Sequence, residues 1–193
     1  MPKRAALLIL LATLNVAAAP AAAPAAVPAA APLIAERDIA VLNAVMKTQC
    51  ALRYPRRAVI SNLAAGDAGA QLPSEWRGAD YYDQALKARG SASASWPLME
   101  FCPQARIVTH ESIQKVFAAD KRVPPGWENF NKVFDGATVL MSFSRPVFSP
   151  DGTHAIIRQN STCGPLCGMG TISELEKRPG GWRVVRTTGT WIS

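Results

Sequence analysis

Cys163-Gly-Pro-Leu-Cys167-Gly-Met-Gly170 is the most distinctive segment of this chain. Two cysteines separated by three residues can meet across a tight loop, either as a structural disulfide or as a redox pair. Thioredoxin-like chemistry uses C-x-x-C at a helix start, where the dipole lowers a thiol pKa. Here the spacing is C-x-x-x-C and the flanks read as strands, which favours a staple. Cys50 and Cys102 complete the set of four cysteines. Four allow three connectivities; the local pair Cys163–Cys167 leaves Cys50–Cys102.

The other reactive side chains are sparse. His110 and His154 are the only histidines, and no H-x-x-x-H or comparable spacing accompanies them, so no metal site is expected. Ser144 beside Arg145 is not a catalytic arrangement by itself. No G-x-S-x-G elbow, P-loop or G-x-G-x-x-G is present, and no cofactor is expected. A ligand pocket between helices and sheet would draw on Tyr81, Tyr82, Trp127 and Arg145, with Asp83 or Glu128 as an inward-facing acid. The five tryptophans could line a groove, although aromatics in a small domain mostly fill its core.

These residues need a scaffold. Ala35, Ile39, Leu42, Val45 and Met46 recur at three- and four-residue steps, predicting a helix over 33–49 with Glu36 and Asp38 in its first turn and Lys47 near its end. Residues 58–63 predict a short strand, 76–89 a helix, 105–109 a strand and 111–118 a short helix. Gly66–Gly69 and Pro124-Pro125-Gly126 are breaks. From Ala137 the period changes to two, through Val139, Met141 and Phe143. Ser149-Pro-Asp-Gly152 is a turn; Phe148 to Gly152 matches a β-propeller blade signature, but it occurs once and a propeller needs at least four blades. Further strands follow from Ala155, from Gly170 and from Trp182, and Ile172 and Leu175 fall out of phase, as a bulge would make them. The expected fold is α+β, with N-terminal helices packed on one face of a C-terminal antiparallel meander of about four strands.

The N-terminus sets the expected compartment. Lys3 and Arg4, an apolar run from Ala5 to Val16 and Ala17 to Ala19 have the form of a signal peptide over residues 1–18. Residues 19–32 are alanine and proline apart from Val27, a composition suited to an extended linker. Residues 33–193 are enough for a single domain with its own core. The formal charge is +7, and losing Lys3 and Arg4 would leave the remainder mildly basic. The basic residues are scattered rather than striped, so nucleic acid is not an expected partner. No run of 18 apolar residues follows the leader, so no integral membrane segment is expected in the mature chain. Four cysteines suit an oxidising compartment, periplasmic or extracellular.

Trp127-x-x-Phe130, Ser142-Phe-Ser-Arg-Pro-Val-Phe148, Asp151-Gly152 to Ala155, Cys163-Gly-Pro-Leu-Cys167-Gly-x-Gly170, Leu175-Glu-Lys177, Gly181-Trp182-x-Val184 and Trp191-Ile-Ser193 stand in a fixed order over about 67 residues. In this the chain resembles a group of uncharacterised bacterial secreted proteins, and its closing strands resemble the cystatin/NTF2-like folds, in which helices cover a curved antiparallel sheet. The resemblance implies no catalytic residue. Three functions are open: a non-enzymatic envelope protein binding a partner protein or small ligand, an NTF2-like small-molecule carrier or enzyme, and a thiol redox protein using Cys163 and Cys167.

Overall fold

The computed structural model describes residues 34–51, 57–65, 81–85, 94–119 and 126–193. The expected leader, the Ala/Pro linker, the Gly66–Gly69 loop, Trp76 and Pro124-Pro125 lie outside them. Helix α1 spans Glu36–Cys50, followed by strands β1 (Ala58–Ser61), β2 (Glu100–Cys102) and β3 (Ala105–Val108). Helices α2 (His110–Ala118) and α3 (Trp127–Val133) come next, and then β4 (Val139–Phe143), β5 (Val147–Phe148), β6 (His154–Gly164), β7 (Cys167–Arg178) and β8 (Gly181–Ile192). Residues 81–85 are helical.

The fold is α+β, as the change of period indicates, but the sheet is twice the expected size and is mixed. Its eight strands run in the order β2-β3-β1-β4-β6-β7-β8, with β5 also paired to β6. The expected antiparallel meander is β4, β6, β7 and β8. Beyond it, β1 lies parallel to both β3 and β4. Parallel pairing needs a long crossover: the path from β1 to β3 covers more than 40 residues, and α2 and α3 lie between β3 and β4.

The helices occupy both faces, correcting the one-face arrangement. Val41, Leu42, Val45 and Met46 of α1 pack with Ile60, Phe143, Ile157 and Leu175 on one face. Each such buried aliphatic side chain contributes about 1.5–3 kcal/mol. Val59, which alternates with Ile60, faces the other way and packs under α2 and α3 with Ile113, Val116 and Phe130. Thr109 caps α2, its side chain accepting from the Ser112 N–H at 3.2 Å. Tyr82 packs on Val147, Ile156 and Ile172, again opposite Ile157.

Coverage on both faces also explains the phase break in β7. Ile172 points to the Tyr82 side and Leu175 to α1, and both are fully buried. The extra residues of the bulges lie in β8, at Val185 and Thr190, not in β7.

The C-terminal strand is held by two glycines. A Cβ on Gly170 would fall 2.1 Å from Trp191 Nε1, and one on Gly168 2.9 Å from its ring. The indole therefore lies flat across both glycines and donates to Asn160 Oδ1 at 3.2 Å. Ser193 and Gly168 exchange two backbone hydrogen bonds. The Gly-x-Gly and Trp-Ile-Ser segments are thus two halves of one contact.

Candidate functional site

The α1 face is not fully covered. Fifteen helical residues reach about 22 Å at 1.5 Å each, whereas the 11 residues of β6 reach about 36 Å. The N-terminal end of α1 sits by Arg145 and Phe148. Its C-terminal end therefore stops short of the β6–β7 tip, and a cavity of about 640 Å³ opens there.

Its walls come from four places. Met46, Gln49 and Cys50 close α1. Ala58, Ala105, Val139 and Met141 come from β1, β3 and β4. Gln159, Ser161, Met169 and Thr171 come from the β6–β7 hairpin, and Thr187 and Ile192 from β8. Strand register sets two rows across this floor. Met141 pairs with Ser161, and Ser161 with Met169. One step deeper, Phe143 pairs with Gln159, and Gln159 with Thr171. At the mouth, Leu166 and Ile192 are 88% and 85% exposed.

All four cysteines reach this cavity. Cys50–Cys102 ties the end of α1 to β2, and Cys163–Cys167 closes the β6–β7 tip. The chain-entropy account gives the first bridge, with 52 residues of sequence separation, about 4 kcal/mol of stabilisation. Cys163 and Cys167 flank a two-residue turn between strands. The helix dipole that activates C-x-x-C thiols does not act there.

None of the four proposed liners borders this cavity; Tyr81 and Tyr82 meet edge-on at 5.5 Å, while Trp127 and Arg145 lie in other regions. Tyr81 donates to the Phe148 carbonyl at 2.9 Å. Tyr82 is on the opposite face of the sheet. Trp127 packs edge-on to Phe117 and Phe130 at 5.5 and 4.9 Å. Arg145 grips Asp38, its Nε and Nη2 donating to Oδ2 at 3.1 and 2.9 Å. Asp38 is completely buried, so this first-turn acid is a partner for Arg145 rather than a solvated charge. Asp83 lies in the helical 81–85 segment and Glu128 in the first turn of α3. Ser144 is structural: its Oγ donates to the Arg145 carbonyl and accepts from the Arg158 N–H. His110 Nδ1 lies 3.2 Å from Ser61 Oγ, and His154 sits beside Glu176, so the two histidines serve separate regions. Among the described residues no cluster of His, Cys, Asp and Glu could hold a metal ion.

Among the described residues, the strongly perturbed titratable groups are also away from the cavity. Burial, reinforced by the negative charge of Glu174, pushes the Tyr82 phenol up to about 12. Hydrogen bonds from Ser149 and from Thr153 hold the Asp151 carboxyl down at about 2, which is the signature of the tight turn. The described residues that line the cavity include no Asp, Glu, His, Lys or Arg. They present thioethers, disulfides, amides, hydroxyls and aliphatic groups.

No protein-family model, curated protein sequence or solved structure matches this chain.

Proposed function

We propose that this chain is an exported, non-enzymatic binding protein that holds a small apolar ligand between α1 and the sheet. The observation that carries this is the cavity itself. At about 640 Å³ it falls within the usual range for small-molecule sites, about 300–1,000 Å³. Three of the five methionines of the chain line it, and methionine's flexible, polarisable side chain suits contact with varied apolar shapes. The exposed Leu166, Met169 and Ile192 at its edge are apolar side chains that a ligand would shield. Export is supported by the leader-like N-terminus and by two disulfides. No helix among the described residues is long and apolar enough to cross a membrane. A helix laid over a curved, mainly antiparallel sheet with a pocket between them also supports kinship with the cystatin/NTF2-like folds and with the secreted group that shares the Cys/Gly and Trp-Ile-Ser pattern.

Titration of the oxidised protein with N-phenyl-1-naphthylamine, a neutral dye that brightens in apolar sites, tests the reading. We expect saturable enhancement at one equivalent. A linear, non-saturating response would refute it.

A further inference from the structure

Gln159 is the only long polar side chain buried in the described wall of the cavity. It is 8% exposed and lies in the inward phase of β6, beside Phe143 and Thr171. Its amide makes no hydrogen bond with the described residues, yet it is not among the side-chain atoms sealed away without a partner. It therefore faces the cavity space with donor and acceptor free. The Thr171 hydroxyl is its neighbour across the β6–β7 pair. Toward the mouth, thioethers flank Ser161 in the Met141–Ser161–Met169 row, and Leu166 and Ile192 stand at the edge beside Ser193.

The cavity thus holds a buried amide at depth and exposed aliphatic side chains at its mouth. A ligand that covers this amide without pairing with it leaves it desolvated and unsatisfied, which is costly, so a ligand with a matching polar group is favoured. A carboxylate would bring a larger penalty, because no described lining residue carries a compensating positive charge. Resting on the binding reading above, we infer that the cavity selects neutral single-chain amphiphiles, with a hydroxyl or carbonyl head hydrogen-bonded to Gln159 and Thr171 and an apolar chain lying over Met141 and Met169 toward Leu166. Its ligand class is the uncharged acyl ester, alcohol or amide rather than the free fatty acid.

Displacement of N-phenyl-1-naphthylamine from the full, oxidised chain at pH 8 tests this, with 1-monododecanoylglycerol and dodecanoate as competitors. The glyceride should compete at concentrations about tenfold or more below dodecanoate, a difference of about 1.4 kcal/mol. Lowering the pH until dodecanoate is protonated should close its gap to the glyceride. Gln159→Leu should lower the ratio of glyceride affinity to dye affinity by about three- to tenfold, the range of one neutral hydrogen bond. Equal competition by dodecanoate and glyceride at pH 8 would overturn the selectivity, as would a Leu variant with an unchanged ratio. Failure of the dye to bind the unmodified protein would overturn the binding reading itself, so the two failures are distinct.

Discussion

Under α2 and α3, Phe117, Trp127, Phe130 and Phe134 interlock with ring centroids between 4.9 and 5.6 Å apart. On the opposite face, beyond Met46, the same sheet meets thioethers, amides and empty space. The difference follows from length and side-chain type. Two short helices with four large aromatics bury Val59 and pack against Val108 and Leu140 on their side. One helix of about 22 Å cannot cover a hairpin of about 36 Å on the other. The sealed face should behave as a stability core, and the open end of the α1 face as a surface whose shape is tolerant and whose occupancy is functional.

The largest expected effect lies on the sealed face. Phe130 is fully buried and touches all three other rings of its cluster. Phe130→Ala should cost about 3–5 kcal/mol, the range for deleting a buried aromatic ring, read from the urea midpoint at unchanged m-value. A loss below about 1 kcal/mol would mean that this cluster does not carry the fold.

The contrast sharpens when a side chain is enlarged on each face. Ile113, 3% exposed on α2 within the aromatic cluster, borders no cavity, and Ile113→Phe should destabilise by about 1–3 kcal/mol through overpacking. Ser161 stands between Met141 and Met169 on the cavity floor. Ser161→Leu should raise stability by about 0.5–2 kcal/mol by filling space and should weaken binding of the naphthylamine dye. Thermal melts with dye titration measure both. Equal destabilisation at the two positions would show that the cavity is already packed in solution.

Much of this contrast is readable in the chain, and the unread part has a physical cause. Period two from Ala137, the Ser149–Gly152 turn and the Gly-Pro-Leu break locate β4, β6, β7 and β8. The α1 stripe names Leu42, Val45 and Met46 correctly. The parallel strand β1 has only four residues, all buried, and its neighbours are distant in sequence, so no local period marks its partners. Asp38 looks like a solvated first-turn acid until Arg145, 107 residues away, is brought beside it. The cavity did leave a trace. In the inward phase of β6, Ala155 and Ile157 are followed by Gln159 and Ser161; in β7, reading backwards, Leu175 gives way to Ser173 and Thr171. Polar residues at core positions mark where the core ends. Recognising that Met141, Ser161 and Met169 form one row needs the strand register, which no single strand contains.

The smallest expected effect tests how dry the covered side is at its far end. Tyr82 is 4% exposed against Ile156 and Ile172, and its phenol is raised to about 12, first by burial and then by Glu174, which Arg186 holds in place at 2.8 Å. An unfolded tyrosine titrates near about 10. Between those values the folded chain keeps a proton that the unfolded chain has released. Stability from this source is therefore complete below about pH 10 and falls as pH rises toward 12. Tyr82→Phe cannot ionise, so its urea midpoint should fall less steeply than that of the unmodified protein over this window. Absorbance at 295 nm should show one of the three tyrosines ionising late, and that late step should be missing in the variant. Parallel alkaline slopes for the two proteins would place water beside Tyr82 and make this end of the covered face as open as the cavity opposite it.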